Sequence, residues 1–297
     1  MVIGHTTLPP TLQSAYPWQG TFIDVDGGRM HVLDVGPRDA PVMLALHGNP
    51  TWSFYWRKLI ARYSDRYRVI APDHIGCGLS DKPQDWPYRL ADHVANVQAV
   101  IRALGLSDIT FVLHDWGGAI GMGVATHDPS LAKRFVVTNT AAWRSLAIPP
   151  SIATCKIPLF GALAVRGFNG FARVATVRAT YKGLDQVAKQ GLLHPYDSWA
   201  NRIATLRFVE DIPLHPAHPS YAELARIDDG LAALKDHPML VCWGDDDFCF
   251  TTDFRKEWER RFPDAEVHAW PDVGHYVMED APDRMLGAMD AFLEAHP

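Results

Sequence analysis

Leu113-His114-Asp115-Trp116-Gly117-Gly118 decides how this chain is built. The segment continues the apolar run Ile109–Leu113 and leads directly into Gly117–Thr126, a small-residue stretch that predicts a helix. A buried strand turning at once into a helix puts the residue between them on a sharp elbow, and the usual pattern for such an elbow is G-x-S-x-G. Here Asp115 stands at the serine position, Gly117 supplies the tight packing, and Leu113 replaces the first glycine. No true G-x-S-x-G occurs in the chain. A lone aspartate at a helix start is ordinarily an N-cap. The company Asp115 keeps argues for more.

Outward from the elbow, strand, loop and helix alternate. Thr21–Asp26 and Arg29–Val35 flank Gly27-Gly28 as a β-hairpin, followed by strand Val42–Leu46, a helix from Phe54 to about Tyr63 and strand Tyr67–Ala71. The amphipathic stretch Asp92–Leu104 precedes the elbow strand, and strand Arg134–Asn139 follows it. From about Ala141 to Asp229 the chain is rich in Pro, Gly, aromatics and short helical patterns, with no convincing buried strand. Alternation resumes with strand Met239–Trp243, a helix near Phe254–Phe262, strand Glu266–Trp270 and a last helix, Ala281–Glu294. This spacing predicts an α/β core of residues 1–140 and 230–297, with a mostly parallel eight-stranded sheet. Residues 141–229 are expected to form a helical lid over the C-terminal strand edge, where open α/β sheets bind ligands.

The bulk numbers fit one large domain. Of 297 residues, 47% are hydrophobic and 21% charged, enough apolar side chain to seal a cavity from water. A net charge of −6, from 28 basic and 34 acidic residues without a dense Lys/Arg run, argues against nucleic acid or anionic membrane as the main partner. Cys77, Cys155, Cys242 and Cys249 are scattered, so neither a disulfide framework nor a zinc site is expected, and a reducing cytoplasm is the default. Met1–Gly20 has no basic and apolar regions of a signal peptide. No apolar run reaches the roughly 18 residues of a membrane span. Gly76-Cys77-Gly78 lacks the third glycine of a dinucleotide site, and the prolines around His215 and His218 break any helix that would align them on a metal. No cofactor is expected, and oligomeric state leaves no signature.

Three further segments give Asp115 its company. His47-Gly48-Asn49-Pro50 follows a strand where such folds build an oxyanion hole, although Gly-Asn-Pro is also good turn chemistry. Asp272-Val273-Gly274-His275-Tyr276 follows the last strand and can bring a general base to the top of the sheet; among 14 histidines, position singles out His275. Cys242-Trp243-Gly244-Asp245-Asp246-Asp247 closes a strand, and one of its aspartates should orient His275. Asp247 is chosen because acids here usually lie three residues past the glycine. The order nucleophile, acid, base also agrees with the α/β-hydrolase fold.

These segments, with Pro72-Asp73-His74-Ile75-Gly76-Cys77-Gly78-Leu79-Ser80-Asp81-Lys82-Pro83, resemble the haloalkane dehalogenase family over nearly the whole chain outside the lid. The resemblance implies an α/β-hydrolase fold with an Asp115–His275–Asp247 triad. It also implies side-chain N–H groups of Asn49 and Trp116 that hold a departing halide, their backbone N–H groups serving a later oxyanion. The substrate expected is a small apolar electrophile, with water as co-substrate. Asp115 would displace the leaving group in line, and His275 would act only when water attacks the resulting ester. Phe248-Cys249-Phe250 and Tyr196-Asp197-Ser198-Trp199-Ala200-Asn201-Arg202 are instead similar to the β-lactone decarboxylases of bacterial long-chain alkene synthesis. Tyr181, Tyr196 and Tyr221 keep an epoxide hydrolase open, and the fold also hosts non-catalytic binding proteins. The Asn49/Trp116 pair tips the reading toward haloalkanes over β-lactones. Phe160, Phe168 and Phe171 are expected in the lid core.

Overall fold

The computed structural model describes residues 8–297; residues 1–7, the start of the Met1–Gly20 stretch, lie outside the described residues. Eight strands form one sheet: β1 (Thr21–Val25), β2 (Gly28–Val35), β3 (Val42–Leu46), β4 (Arg68–Pro72), β5 (Ile109–His114), β6 (Ala132–Thr138), β7 (Met239–Gly244) and β8 (Glu266–Trp270). Their spatial order is β1-β2-β4-β3-β5-β6-β7-β8. β2 runs antiparallel to both its neighbours, and the pairings from β4 through β8 are parallel. This is the mostly parallel eight-stranded sheet expected of an α/β-hydrolase fold.

Helices cover both faces, so the central strands are apolar on both sides and read as unbroken hydrophobic runs. Leu44, Leu46, Phe111 and Leu113 enter one core cluster, while the alternating Met43, Ala45 and Val112 enter the other. α1 (Pro10–Ala15) and α2 (Arg57–Tyr63, entered through a 3-10 turn at Ser53–Trp56) pack on the second face. α3 (Leu90–Leu104) and α4 (Trp116–His127) pack on the first. α3 does so through Leu90, Val94, Val97 and Ile101, spaced three to four residues apart on one helical stripe. α4 starts at the elbow and lies close to the sheet: a Cβ on Gly117 would sit 2.2 Å from the Leu46 carbonyl oxygen.

Between β6 and β7 the chain leaves the sheet and is entirely helix and loop. It forms α5 (Pro150–Thr154), a π-helical turn (Ala162–Gly167), α6 (Gly170–Arg178), α7 (Gln186–Leu193), a 3-10 turn (Ala200–Arg202), α8 (Ile203–Glu210) and α9 (Tyr221–Gly230). α9 packs directly on α3 and α4, with Leu224 and Ile227 in their core cluster, which Ile203, Ala204 and Phe208 of α8 also join. The chain then returns through β7, α10 (Thr252–Arg261), β8, α11 (Val277–Asp280) and α12 (Pro282–Ala295). Phe160 and Phe168 are corrections: at 55% and 69% exposure they sit on the outer surface of the insert. No helix among the described residues is long and apolar enough to cross a membrane, and all four cysteines are free.

Candidate active site

Asp115 sits at the C-terminal end of β5 with φ 51° and ψ −128°, a strained backbone for a residue with a side chain. Its N–H donates to the Asn139 carbonyl at 3.2 Å, and the Thr140 hydroxyl donates to its carbonyl, so the turn is held from the end of β6. The carboxyl group is buried but not unpartnered: the Asn49 backbone N–H donates to Oδ1 at 2.7 Å. That approach needs a glycine beside it, since a Cβ on Gly48 would come within 2.0 Å of the same oxygen. Burial raises the Asp115 carboxyl above its ordinary range, while the charge of His275 and the N–H groups of Asn49 and Trp116 pull against it.

His275 faces Asp115 from the loop after β8. Its Nε2 lies 3.6 Å from Asp115 Oδ2, and its Nδ1–H donates to Asp247 Oδ2 at 2.7 Å. Burial works against the imidazolium. The Asp247 carboxylate, its hydrogen bond and Asp115 outweigh that, leaving His275 above the ordinary imidazole range. The three consecutive aspartates divide cleanly. Asp245 pairs with Arg255 at 3.0 Å and Asp246 is exposed, whereas Asp247 is buried against the histidine. Asp247 also accepts from Asn139 Nδ2 at 2.9 Å and from the Cys249 N–H at 2.6 Å.

All five residues singled out in the sequence therefore come together: Asn49, Asp115 and Trp116 line one cavity, with His275 and Asp247 behind the nucleophile position. The cavity measures about 140 Å³ and is walled mainly by apolar side chains, among them Ile152, Phe171 and Val209 of the insert and Phe250 and Phe254 of the core. Asn49 Nδ2 donates to the Thr205 carbonyl of α8 at 3.1 Å, which fixes the amide as a donor and leaves its second N–H free. The Trp116 ring packs on Phe208 of α8, centroids 5.1 Å apart. Tyr181, Tyr196 and Tyr221 line no part of this cavity; Tyr196 is buried and donates its hydroxyl to the Thr51 carbonyl.

Four contributors were not singled out in the sequence. Asn139 braces both Asp247 and the end of β7, taking the Gly244 N–H on Oδ1 and giving Nδ2–H to its carbonyl. His114 gives its Nε2–H to the His275 carbonyl at 3.0 Å, and burial together with the nearby His275 charge keeps it neutral. Thr140 acts through its hydroxyl on the Asp115 carbonyl, and Thr205 through its own carbonyl on Asn49. Only Asn139 left a trace, as a polar residue closing a buried strand.

Residues 41–282 match the family model described as alpha/beta hydrolase fold. A cis-3-alkyl-4-alkyloxetan-2-one decarboxylase of Xanthomonas campestris is 40% identical over 95% of this chain and 98% of its own length. Haloalkane dehalogenase 2 of Mycobacterium bovis is 31% identical over 92% of this chain and 94% of its own. Among solved structures, a haloalkane dehalogenase from Agrobacterium tumefaciens superposes with a TM-score of 0.83 at 25% identity, covering 94% of this chain and 97% of that one. With a family model spanning most of its length and near-full-length relatives, this chain belongs to the alpha/beta hydrolase fold family and is haloalkane dehalogenase-like within it.

Proposed function

We propose that the chain is an enzyme with Asp115 as nucleophile, His275 as its titrating partner and Asp247 as the acid orienting that histidine, and that it decarboxylates cis-3,4-dialkyl-β-lactones. The observation that carries the chemistry is a buried carboxylate on a strained elbow, facing an apolar cavity with an imidazole 3.6 Å behind it. What supports the substrate is the 40% identity to an oxetanone decarboxylase along nearly the whole of both chains, together with the resemblance of the segments around Tyr196 and Phe248 to that group. In this reading the insert from residue 141 through α8 is the lid, and α9 belongs to the helix layer below it. The free cysteines agree with a reducing cytoplasmic setting.

The reaction balances without added reagents. An Asp115 oxygen attacks the lactone carbon bearing the ring oxygen, in line with the C–O bond, which breaks and turns the ring oxygen into a free carboxylate. The new carboxylate's C–C electron pair then forms the alkene as the bond to Asp115 breaks, releasing carbon dioxide and regenerating the nucleophile. Inversion followed by anti elimination converts a cis lactone into a cis alkene, with no water consumed. Asn49 and Trp116 offer N–H donors that cannot ionise, suited to the developing carboxylate. Protonated His275 stabilises Asp115 as it leaves.

The same donors favour a second reading, haloalkane dehalogenation, in which they hold a halide and neutral His275 activates water against the alkyl ester. A panel separates the two. Purified protein is given a cis-3,4-dialkyl-β-lactone, 1-bromobutane or 1-iodobutane, and an epoxide, with assays for alkene and carbon dioxide, halide, and diol. Alkene and carbon dioxide in equal amounts are expected. Halide release without alkene would replace the first reading by the second, and diol formation alone would overturn both.

A further inference from the structure

The outer face of the insert is both apolar and basic. Of the large hydrophobic side chains exposed among the described residues, all but Phe22 lie between Leu146 and Trp199. Ile157, Leu159, Phe160, Leu163 and Phe168 lie on the run through the π-helical turn, with Leu159 at 87% and Phe168 at 69% exposure. A monomer has no folding reason to leave such a group in water. On α6, Val174 and Val177 are exposed one turn apart, flanked by Arg173 and Arg178, and Tyr181 continues the stripe just beyond the helix. Trp199 adjoins the first part, since a Cβ on Gly167 would touch both Leu163 and the Trp199 ring and the Arg166 guanidinium stacks on that ring at 4.6 Å, and α6 packs on the π-helical turn.

The charge of this face is opposite to that of the molecule. Residues 141–184 hold six basic side chains and no acidic one, leaving 22 basic against 34 acidic residues elsewhere. At the chain's average density about five acidic residues would fall there. Arg166, Arg173 and Arg178 make no ion pair with a carboxylate among the described residues, whereas Arg144 is paired to Asp228 and Asp229. The even spread hides this asymmetry from a search for a dense basic run. A net charge of −6 therefore says little about this one surface.

We propose that the outer face of the insert, from Ile157 to Tyr181 with Trp199, docks on an anionic phospholipid bilayer. Apolar side chains sink past the headgroups, unpaired arginines meet the lipid phosphates, and an aromatic–arginine pair sits at the boundary. Complementary charge favours a bilayer over a second copy, since two copies of this face would oppose basic patches. The same insert segment contributes Ile148, Ile152 and Phe171 to the cavity wall, so one segment carries both the docking face and part of the site.

Vesicle co-sedimentation of the full chain tests this without any substrate. Binding to phosphatidylcholine vesicles containing phosphatidylglycerol is expected, and should weaken at high salt and on pure phosphatidylcholine. Arg173→Gln with Arg178→Gln should weaken it about 25-fold, from roughly fivefold per arginine near an anionic surface. Leu159→Asp with Phe168→Asp should abolish it, while circular dichroism and melting stay unchanged because these side chains are exposed. Absence of binding to the anionic vesicles overturns the proposal. So does binding that both double variants leave intact, or a dimer in sedimentation velocity that the apolar substitutions dissolve while vesicle binding persists.

Discussion

As the proposed nucleophile, Asp115 faces two conflicting demands: the carboxylate must be dry to attack carbon and ionised to have a pair of electrons to attack with. Burial favours the neutral acid and wins on balance, while the His275 charge and two backbone N–H groups pull toward the carboxylate without letting water in. His275 carries the discriminating titration, because its pKa in the folded protein lies above the ordinary 6.5. If it acts as an imidazolium beside a departing Asp115, the second half-reaction is fast below that raised pKa and is lost as pH rises through it. If it acts as a base on water, it must be neutral, and the same step speeds up as pH rises through that pKa. Single-turnover rates across pH read the sign directly, and a flat profile would remove His275 from the step. His275→Phe should leave one burst of substrate opening and then a stalled adduct on the Asp115 peptide, heavier by the whole lactone or by the alkyl group. At Trp116 the decisive substitution is Trp116→Phe, which keeps the packing on Phe208 and deletes the indole N–H. Loss of one such donor costs about 2.7–4 kcal/mol of transition-state stabilisation, so the opening step should slow at least about a hundredfold. An unchanged single-turnover rate would show that no leaving group is held there.

Both candidate leaving-group donors depend on α8, an element the sequence reveals only as one of several short helical patterns. Its eight residues give little over two turns of periodicity, flanked by proline and aromatic-rich loops that add no caps. Its key contact with Asn49 runs through the Thr205 carbonyl, and a backbone carbonyl leaves no residue signature. Strands β3, β5 and β7 were legible for the opposite reason: burial on both faces forces continuous apolar runs, each ending in a chemically distinctive loop. Phe160 and Phe168 misled because an aromatic in a helical insert ordinarily faces inward, and nothing local marks an outer surface. Phe208 of α8 stacks between Trp116 and His93, with the His93 ring 4.5 Å away and nearly parallel. Phe208→Ala should cost about 3–5 kcal/mol in urea unfolding through the cavity it leaves. It should also free the Trp116 ring, seen as a fall in tryptophan fluorescence anisotropy relative to a Phe208→Leu control. Stability within about 1 kcal/mol of wild type would mean that α8 does not position the indole.

On the scale of the whole molecule, insert and core read as separate blocks in the sequence, yet they are joined at both ends of the site. At the front, α8 holds Asn49 and Trp116. At the back, Asp280 of α11 reaches two segments at once. Its Oδ2 accepts the Gly274 N–H at 2.8 Å and the Tyr181 N–H at 2.6 Å, and its Oδ1 accepts the Lys182 N–H at 3.1 Å. The Tyr276 N–H donates to the Ala179 carbonyl at 2.7 Å beside it, so the loop carrying His275 is sewn to the end of α6. Asp280 looks like any first-turn acid ahead of α12, which is why position along the chain could not reveal it. The carboxylate is buried, at 6% exposure, and Asp280→Ala leaves three N–H groups without their acceptor. Each buried donor left unpaired costs about 1–3 kcal/mol, and partial rehydration from the insert side reduces the sum to roughly 2–4 kcal/mol. That corresponds to a melting temperature lower by about 3–6 °C. Activity should fall further than stability explains, because His275 would no longer be held against Asp115, and kcat should drop with little change in KM. Asp283→Ala, a fully comparable charge loss at an exposed site one turn away, is the control and should alter neither. If Asp280→Ala melts and turns over like wild type, the insert and the histidine loop are not mechanically joined, and His275 is held by Asp247 and His114 alone.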